Sequence, residues 1–455
     1  MTIQHRARPG MRALRTACAA ALLGAAVTGC KDFLSGGELT TDPNRPTVAT
    51  NTQLFVGAQS ALWSVLQSDP ARIAALWSQQ LIGTNIQTDA IYRYDVTEQT
   101  TNAFHQALYV SGGLVDLRKL QTGARTVGDS TMLGVAQVME ALLIGTGADL
   151  FGDLTYSEAI TDAANPRLDP QLEVYDAIQA LLSEAIVNLS RTGPTNGGPR
   201  GADLSYEGDR AKWTRLAHTL KARFLLHTAE VRPAAYAAAL AEARLGITSA
   251  ADDFVAVFSG NAGEQNFWYQ FDVVQRSGYL APDPQFLALL EARHDPRIDE
   301  YFNEDRTGFA EAKIAPDATQ PLVTAVENLL IWAEAAQRTG AEAEARTQLD
   351  RARAIAGLPA VSASLSGRAL LAEILTEKYI ALFQGIEPWN DYKRTCTPNL
   401  APVIAGSKIP ARLYYDTAER QTNTNIPLPS QQPTRNANDP RNTTADATGA
   451  ACLGQ

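Results

Sequence analysis

The stretch from residue 322 to residue 359, LVTAVENLLIWAEAAQRTGAEAEARTQLDRARAIAGLP, decides the fold class of this chain. Val326, Leu329, Leu330 and Ala333 recur at the spacing that puts them on one face of a helix. Gly340 breaks that helix, Ala345, Leu349, Ala352 and Ala356 line a second one, and Gly357-Leu358-Pro359 ends it. Two amphipathic helices with small alanines where they cross read as a tetratricopeptide-type hairpin. Periodicity alone fits an ordinary helical bundle equally well.

The same period recurs outward from this stretch. Leu54, Ala58, Ala61, Leu62 and Val65 form one stripe, Val135, Val138, Met139 and Leu142 another, and Trp213, Leu216, Ala217, Leu220 and Phe224 a third. Few segments alternate with period two, so the chain reads as mainly α, a scaffold of tetratricopeptide-like hairpins at irregular spacing with long irregular loops. Gly134 to Ile160 reads as a looser unit of the same kind, and Trp77, Trp213 and Trp332 as core. Residues 191–209 and much of 256–284 are too rich in turn formers to be helical. Residues 427–455, rich in Asn, Thr, Pro and Gln, read as an extended polar tail. Long loops in a compact domain commonly carry function, so the helices read as scaffold and the loops as working surface.

Ahead of the scaffold, Arg6, Arg8, Arg12 and Arg15 precede an apolar run that closes in Val27-Thr28-Gly29-Cys30. That is the pattern of a lipoprotein signal: residues 1–29 are expected to be removed and Cys30 acylated, leaving one domain over 30–455. Lipid on Cys30 is the expected membrane attachment, because no later stretch reads as the roughly 18 apolar residues that a span requires. Losing the leader removes four arginines and no carboxylate, leaving 35 Lys plus Arg against 49 Asp plus Glu. So acidic a chain repels phosphate backbones, which excludes nucleic acid as a partner. Cys18 leaves with the leader and Cys30 takes lipid, so Cys396 and Cys452 are the natural disulfide pair in an oxidising compartment; two reduced thiols are the alternative.

G-x-S-x-G, H-E-x-x-H and P-loop patterns are absent from the sequence. His105, His218, His227 and His294 are scattered, and His227 falls on the stripe begun by Trp213, where a hydrogen-bonded core histidine is expected. Asp149 and Asp153, either side of Gly152 at a helix end, read as acceptors of backbone N–H bonds in a turn. No catalytic residue, metal ligand set or cofactor is therefore expected. A glycosidase needs only two carboxylates at a set distance, and hairpin repeats often serve as assembly adaptors, so both remain alternatives. Ligand capture is favoured by Asn266, Phe267, Trp268 and Tyr269 in a glycine-bearing loop, where flat rings beside amides suit sugar faces, or else plug the loop onto the scaffold. Tyr92, Arg93 and Tyr94 are a second candidate, with both rings on one face if the segment is extended.

Several segments, taken in order, resemble the SusD/RagB family of outer-membrane nutrient-binding lipoproteins. They are Lys31-Asp32-Phe33-Leu34, Asp149-Leu150-Phe151-Gly152-Asp153 through Ala159, Tyr206-Glu207-Gly208-Asp209 to Trp213, Asp295-Pro296-Arg297, Glu387-Pro388-Trp389-Asn390-Asp391-Tyr392, and Ile409-Pro410-Ala411-Arg412-Leu413. The resemblance implies a single mostly helical domain, anchored by lipid to the outer membrane and facing outward. It implies capture of an oligosaccharide, or in some branches a peptide, and delivery to a SusC-like TonB-dependent transporter, without catalysis.

Overall fold

Backbone hydrogen bonding in the computed structural model, which describes residues 49–443, makes 57% helix and 4% strand. The mainly α expectation holds. The chain falls into two compact units, Met1–Thr50 and Asn51–Gln455, and every element named below belongs to the second. The leader, Cys30 and Cys452 lie outside the described residues.

Helices α1 (Asn51–Gln67) and α2 (Asp69–Trp77) lead to β1 (Leu81–Gly83), α3 (Ile86–Tyr92) and α4 (Glu98–Ala107). From there α5 (Leu114–Val127), α6 (Ser130–Phe151), α7 (Gln171–Ser190), α8 (Arg210–Thr228) and α9 (Ala235–Ala243) stack in order, each against the one before. An irregular middle follows: β2 (Phe254–Ala256), α10 (Phe267–Tyr269), β3 (Leu280–Pro282), α11 (Pro284–Ala292), α12 (Arg297–Tyr301), α13 (Glu311–Ile314) and β4 (Gln320–Val323). The stack then resumes with α14 (Ala325–Arg338), which lies on α9 and carries α15 (Glu342–Ile355) and α16 (Gly367–Ala381); α17 (Glu387–Thr395) and α18 (Thr417–Thr422) close the described chain.

The α14–α15 hairpin forms where its sequence places it. Thr324 Oγ1 accepts the Glu327 amide at 3.1 Å to start α14, and Gly340, at φ +84°, supplies the left-handed turn that stops it. Leu329, Leu330 and Ala333 then share one core with Ala345, Leu349 and Ala352. In α6 every residue from Thr131 to Phe151 is buried. By length and composition this helix could cross a membrane, which corrects the expectation that nothing after the leader would; its burial makes it the core helix of the fold. At Gly145 a Cβ would sit 2.2 Å from Phe224 Cζ, so α8 packs on α6 only because glycine stands there. The looser unit does not close at Ile160 as expected, because the partner of α6 is α7.

Of two small antiparallel ribbons, β1–β3 ties the irregular middle to the segment after α2, and β2–β4 joins the two ends of the middle. Leu81 pairs with Pro282 and Gly83 with Leu280, and Phe254 pairs with Val323. Residues 267–275 are helical, a turn of α10 running into a π-helix at Gln270–Gln275, against the expectation of a loop. The reason is local: Asn266 accepts the Trp268 amide at 2.8 Å and caps the turn. The segment after Pro427 is likewise no free tail as far as Arg441, since Gln432, Arg435, Asn436, Asp439 and Arg441 are buried.

A buried ionic seam runs between α8, α14, α16 and α17. Arg394 meets Glu334 through two bonds of 2.6 Å, Arg223 meets Glu327 through two of 2.6 Å, and Lys378 reaches Asp391 at 3.0 Å. Burial raises the Glu334 carboxyl, but Arg394 and Lys378 outweigh it and hold the group at about 2.

Candidate functional site

The carboxyl end of α6 organises the region where loops gather. A helix ends with carbonyls that have no partner within it. Here Ala148 O, which already accepts the Gly152 amide, also takes Gln171 Nε2 at 2.7 Å, Asp149 O takes Lys393 Nζ at 2.7 Å and Asn436 Nδ2 at 2.9 Å, Leu150 O takes the Leu413 amide at 2.8 Å, and Phe151 O takes Arg412 Nη2 at 2.6 Å. The 408–416 strap and the 427–441 segment are thus laid across the end of α6, and two cations face its negative pole.

The side chain of Asp149 does something other than the expected turn bond. Its Oδ1 accepts Tyr175 Oη at 2.5 Å and faces His227 Nδ1 at 2.8 Å, while His227 Nε2 faces Glu387 at 2.8 Å. Burial lowers the histidine pKa, but the two carboxylates more than reverse this and lift it to about 9, so the ring is a buried imidazolium. The three groups lie close enough to share a metal ion. Both ring nitrogens are already turned to carboxylates, and Arg223 stands 3.8 Å from Glu387, so the cluster is a structural ion pair. His227 is the hydrogen-bonded core histidine expected of its stripe. Asp153 accepts a backbone N–H as expected, but from Gln171 at the start of α7, at 2.8 Å, and not from within its own turn.

The sequence-predicted ligand residues separate. Trp268 has no exposed surface; its Nε1 donates to Gln67 at 3.1 Å and its ring meets Phe309 edge-on, so it is an anchor of the core and has no face for a ligand. Asn266 is equally buried, and Phe267 is packed edge-on against Phe258. Tyr269 is half-buried. Tyr92 ends α3 and Arg93 caps it, so the segment is not extended and the two tyrosines do not share a face. Burial and the neighbouring Asp283 carboxylate push the Tyr92 phenol up to about 12. Arg93 is exposed.

Tyr94 alone among these lines a large opening. With φ at +70°, it turns away from α3, and its hydroxyl accepts the amide of Val403, a few residues ahead of the strap, at 2.9 Å. The trough beside it has a volume of about 640 Å³ and is walled by Tyr94, Tyr414, Arg412, Gln432 and the prolines Pro410 and Pro433. It shares Val96, Tyr414 and Pro429 with a neighbouring hollow of about 590 Å³. Strand-like alternation sorts the adjacent tyrosines: Tyr414 faces the trough half-buried, whereas Tyr415 is buried, stacked on Phe151 and bonded to Asp153 O at 2.9 Å. A second cavity, lined by Arg223, Glu327 and Glu387, measures about 70 Å³, enough for a few waters and too small for a sugar ring.

Tyr414, Lys408, Arg412 and Gln432 were not singled out as ligand residues in the sequence. A signal for them exists: residues 392–415 and 420–438 contain no Asp or Glu, in a chain of net charge −10.

Comparison with known proteins fits this arrangement. The family described as starch-binding and associating with the outer membrane, SusD-like, matches residues 43–416. The chain belongs to the SusD/RagB family. Solved SusD/RagB structures share the fold: a family protein from Bacteroides thetaiotaomicron is 20% identical, with a TM-score of 0.68 over 83% of this chain and 95% of that one. A chitin-binding SusD homolog from Flavobacterium johnsoniae is 18% identical, with a TM-score of 0.69 over 84% and 98%. A SusD homolog from Bacteroides uniformis is 20% identical, with a TM-score of 0.66 over 82% and 95%. No curated protein matches the sequence. SusD-like proteins bind nutrients and glycans at the outer membrane and are binding proteins, not enzymes.

Proposed function

We propose that this SusD-like protein captures an oligosaccharide in the trough between Tyr94 and Tyr414 and hands it to a SusC-like TonB-dependent transporter, held at the outer membrane by lipid on Cys30 and facing outward. The observation that carries the reading is the trough itself: two half-buried tyrosines, proline walls and the hydroxyls of Ser430 and Thr434 around about 640 Å³. Rings supply flat apolar faces and the polar groups fix orientation, the combination that sugars require. That one solved relative of the same fold is a chitin-binding homolog supports sugar as the ligand class. Cys396 is disulfide-bonded, and Cys452 is the partner that the cysteine count favours.

Calorimetric titration of the mature protein with a panel of oligosaccharides tests the ligand assignment. Tyr414→Ala should weaken the best ligand by roughly 1–3 kcal/mol, as loss of an aromatic anchor does, with little change in melting because the ring is half-exposed. The ligand should be recovered intact, and gentle extraction of membranes should bring a plugged-barrel transporter with the protein. Unchanged affinity in Tyr414→Ala would remove the trough from the binding site.

A further inference from the structure

The trough is basic in an acidic protein. Lys408, Arg412, Arg435 and Arg441 line it and, among the described residues, no carboxylate does, although the chain carries a net charge of −10. Arg435 and Arg441 share one counter-ion, Asp439, at 2.9 and 3.0 Å. Lys408 is exposed and forms no ion pair among the described residues.

Arg412 is the sharper observation. Among the described residues it is the one buried arginine outside any ion pair, at 7% exposure. Its guanidinium donates to neutral oxygens: Phe151 O, Gln432 Oε1 at 3.0 Å and Pro433 O at 3.3 Å, and it lies over the Tyr415 ring at 4.8 Å. Burial lowers its pKa, and Tyr415 and a more distant Asp153 offset this only in part. The end of α6 offers about half a negative charge, which leaves much of a full positive charge facing the trough. Burying an uncompensated cation is costly, and a fold that neutralises its other buried arginines with carboxylates keeps this one open.

We infer that the trough selects acidic oligosaccharides, those whose rings carry carboxylate or sulfate groups, with Arg412 and Lys408 meeting the anion while Tyr94 and Tyr414 hold the rings. This rests on the sugar-binding reading and narrows it. With Nε and Nη2 both on Phe151 O and Nη1 on Gln432 and Pro433, the Arg412 guanidinium is fixed in place and draws an oxyanion by its uncompensated charge, while the exposed Lys408 ammonium supplies the free donors.

The test compares affinities for an oligogalacturonate and its fully methyl-esterified form, and for a sulfated oligosaccharide and its desulfated form, using the mature full-length protein. The first member of at least one pair should bind tenfold or more tighter at low salt, and the preference should shrink as salt rises, because screening shortens to about 3 Å at 1 M. Lys408→Glu, at an exposed and unpaired position, should cut the ratio of acidic to neutral affinity by about fivefold. Arg412→Gln should cut it by roughly tenfold or more. Should Arg412→Gln fail to fold for want of its bonds to α6, Lys408→Glu decides alone. Lys119→Glu, at an exposed lysine of α5 away from the trough, controls for net charge and should leave the ratio unchanged. Equal binding of both members of each pair, still abolished by Tyr414→Ala, overturns the acidic selectivity and keeps the sugar reading. Absence of binding to any saccharide overturns both. Acidic preference untouched by Lys408→Glu and by a folded Arg412→Gln also overturns the inference, because the anion then sits elsewhere.

Discussion

In the helical stack buried arginines meet carboxylates, Arg394 on Glu334 and Arg223 on Glu327, and in the trough Arg412 meets none. The difference lies in what the charge is for. A paired ion in the stack fixes which helix faces which, and its charge is spent inside the fold. The charge at the trough remains available to something that arrives from outside.

That contrast breaks most visibly if the stack is damaged. Glu334→Ala leaves two buried cations, Arg394 and Lys378, to share Asp391 alone and should cost about 3–5 kcal/mol of stability, the usual result of removing one partner from a buried ionic cluster. Trp268→Ala should cost a similar amount, about 3–5 kcal/mol, because it opens a cavity at a fully buried ring. Thermal or denaturant melting measures both. A Trp268→Ala protein that melts like the parent while losing its sugar would return that ring to the ligand site.

The next effect is a pH dependence that belongs to the stack and not to the trough. The folded His227 pKa, about 9, lies above the ordinary value of 6.5, so its ion pairs stabilise the fold fully below 6.5. That stability declines as pH rises through the folded value. Glu387 works in the opposite sense: His227 and Arg223 overcome burial and hold its carboxyl far below the ordinary 4.5, so its contribution is present above 4.5 and lost in strong acid. Melting temperature should therefore fall between pH 6.5 and 9, and His227→Gln should flatten that limb. An unchanged slope in His227→Gln assigns the alkaline loss to other groups.

How much of this was legible depended on sequence distance. The α14–α15 hairpin could be read because its signal is local: the apolar stripe, Gly340 and the Gly357-Leu358-Pro359 stop all sit within one stretch. The His227 cluster could not, because Asp149 is 78 and Glu387 160 residues away along the chain, and nothing in the spacing announces their meeting. Trp268 stayed between two readings, a ring for sugar or a plug on the scaffold, for a related reason. Aromatics beside glycines read as a loop, and the partners that bury the ring, Gln67 and Phe309, lie on other elements. The 427–441 segment looked too polar to pack, yet its amides and arginines are the groups that the open carbonyls of α6 and α17 require. Tyr414 and Tyr415 show the limit most simply. Their identity is the same, and only the alternation of an extended strap puts one in the trough and the other in the core.

The smallest effect is the most discriminating between the two tyrosines that the sequence put together. The Tyr92 phenol lies beside the Asp283 carboxylate, which raises its pKa, and Asp283 accepts the Gln285 amide at 2.8 Å at the start of α11. Tyr92→Phe therefore removes one polar neighbour of a cap that keeps its backbone partners, and should cost at most about 1 kcal/mol of stability. Ligand affinity should be unchanged, since Tyr92 is turned toward α11 whereas Tyr94 is turned toward the trough. Tyr94→Ala, measured beside it, should lose affinity. If instead both substitutions weaken the sugar equally, the binding surface extends from the strap across the end of α3, and the trough is one end of a longer site.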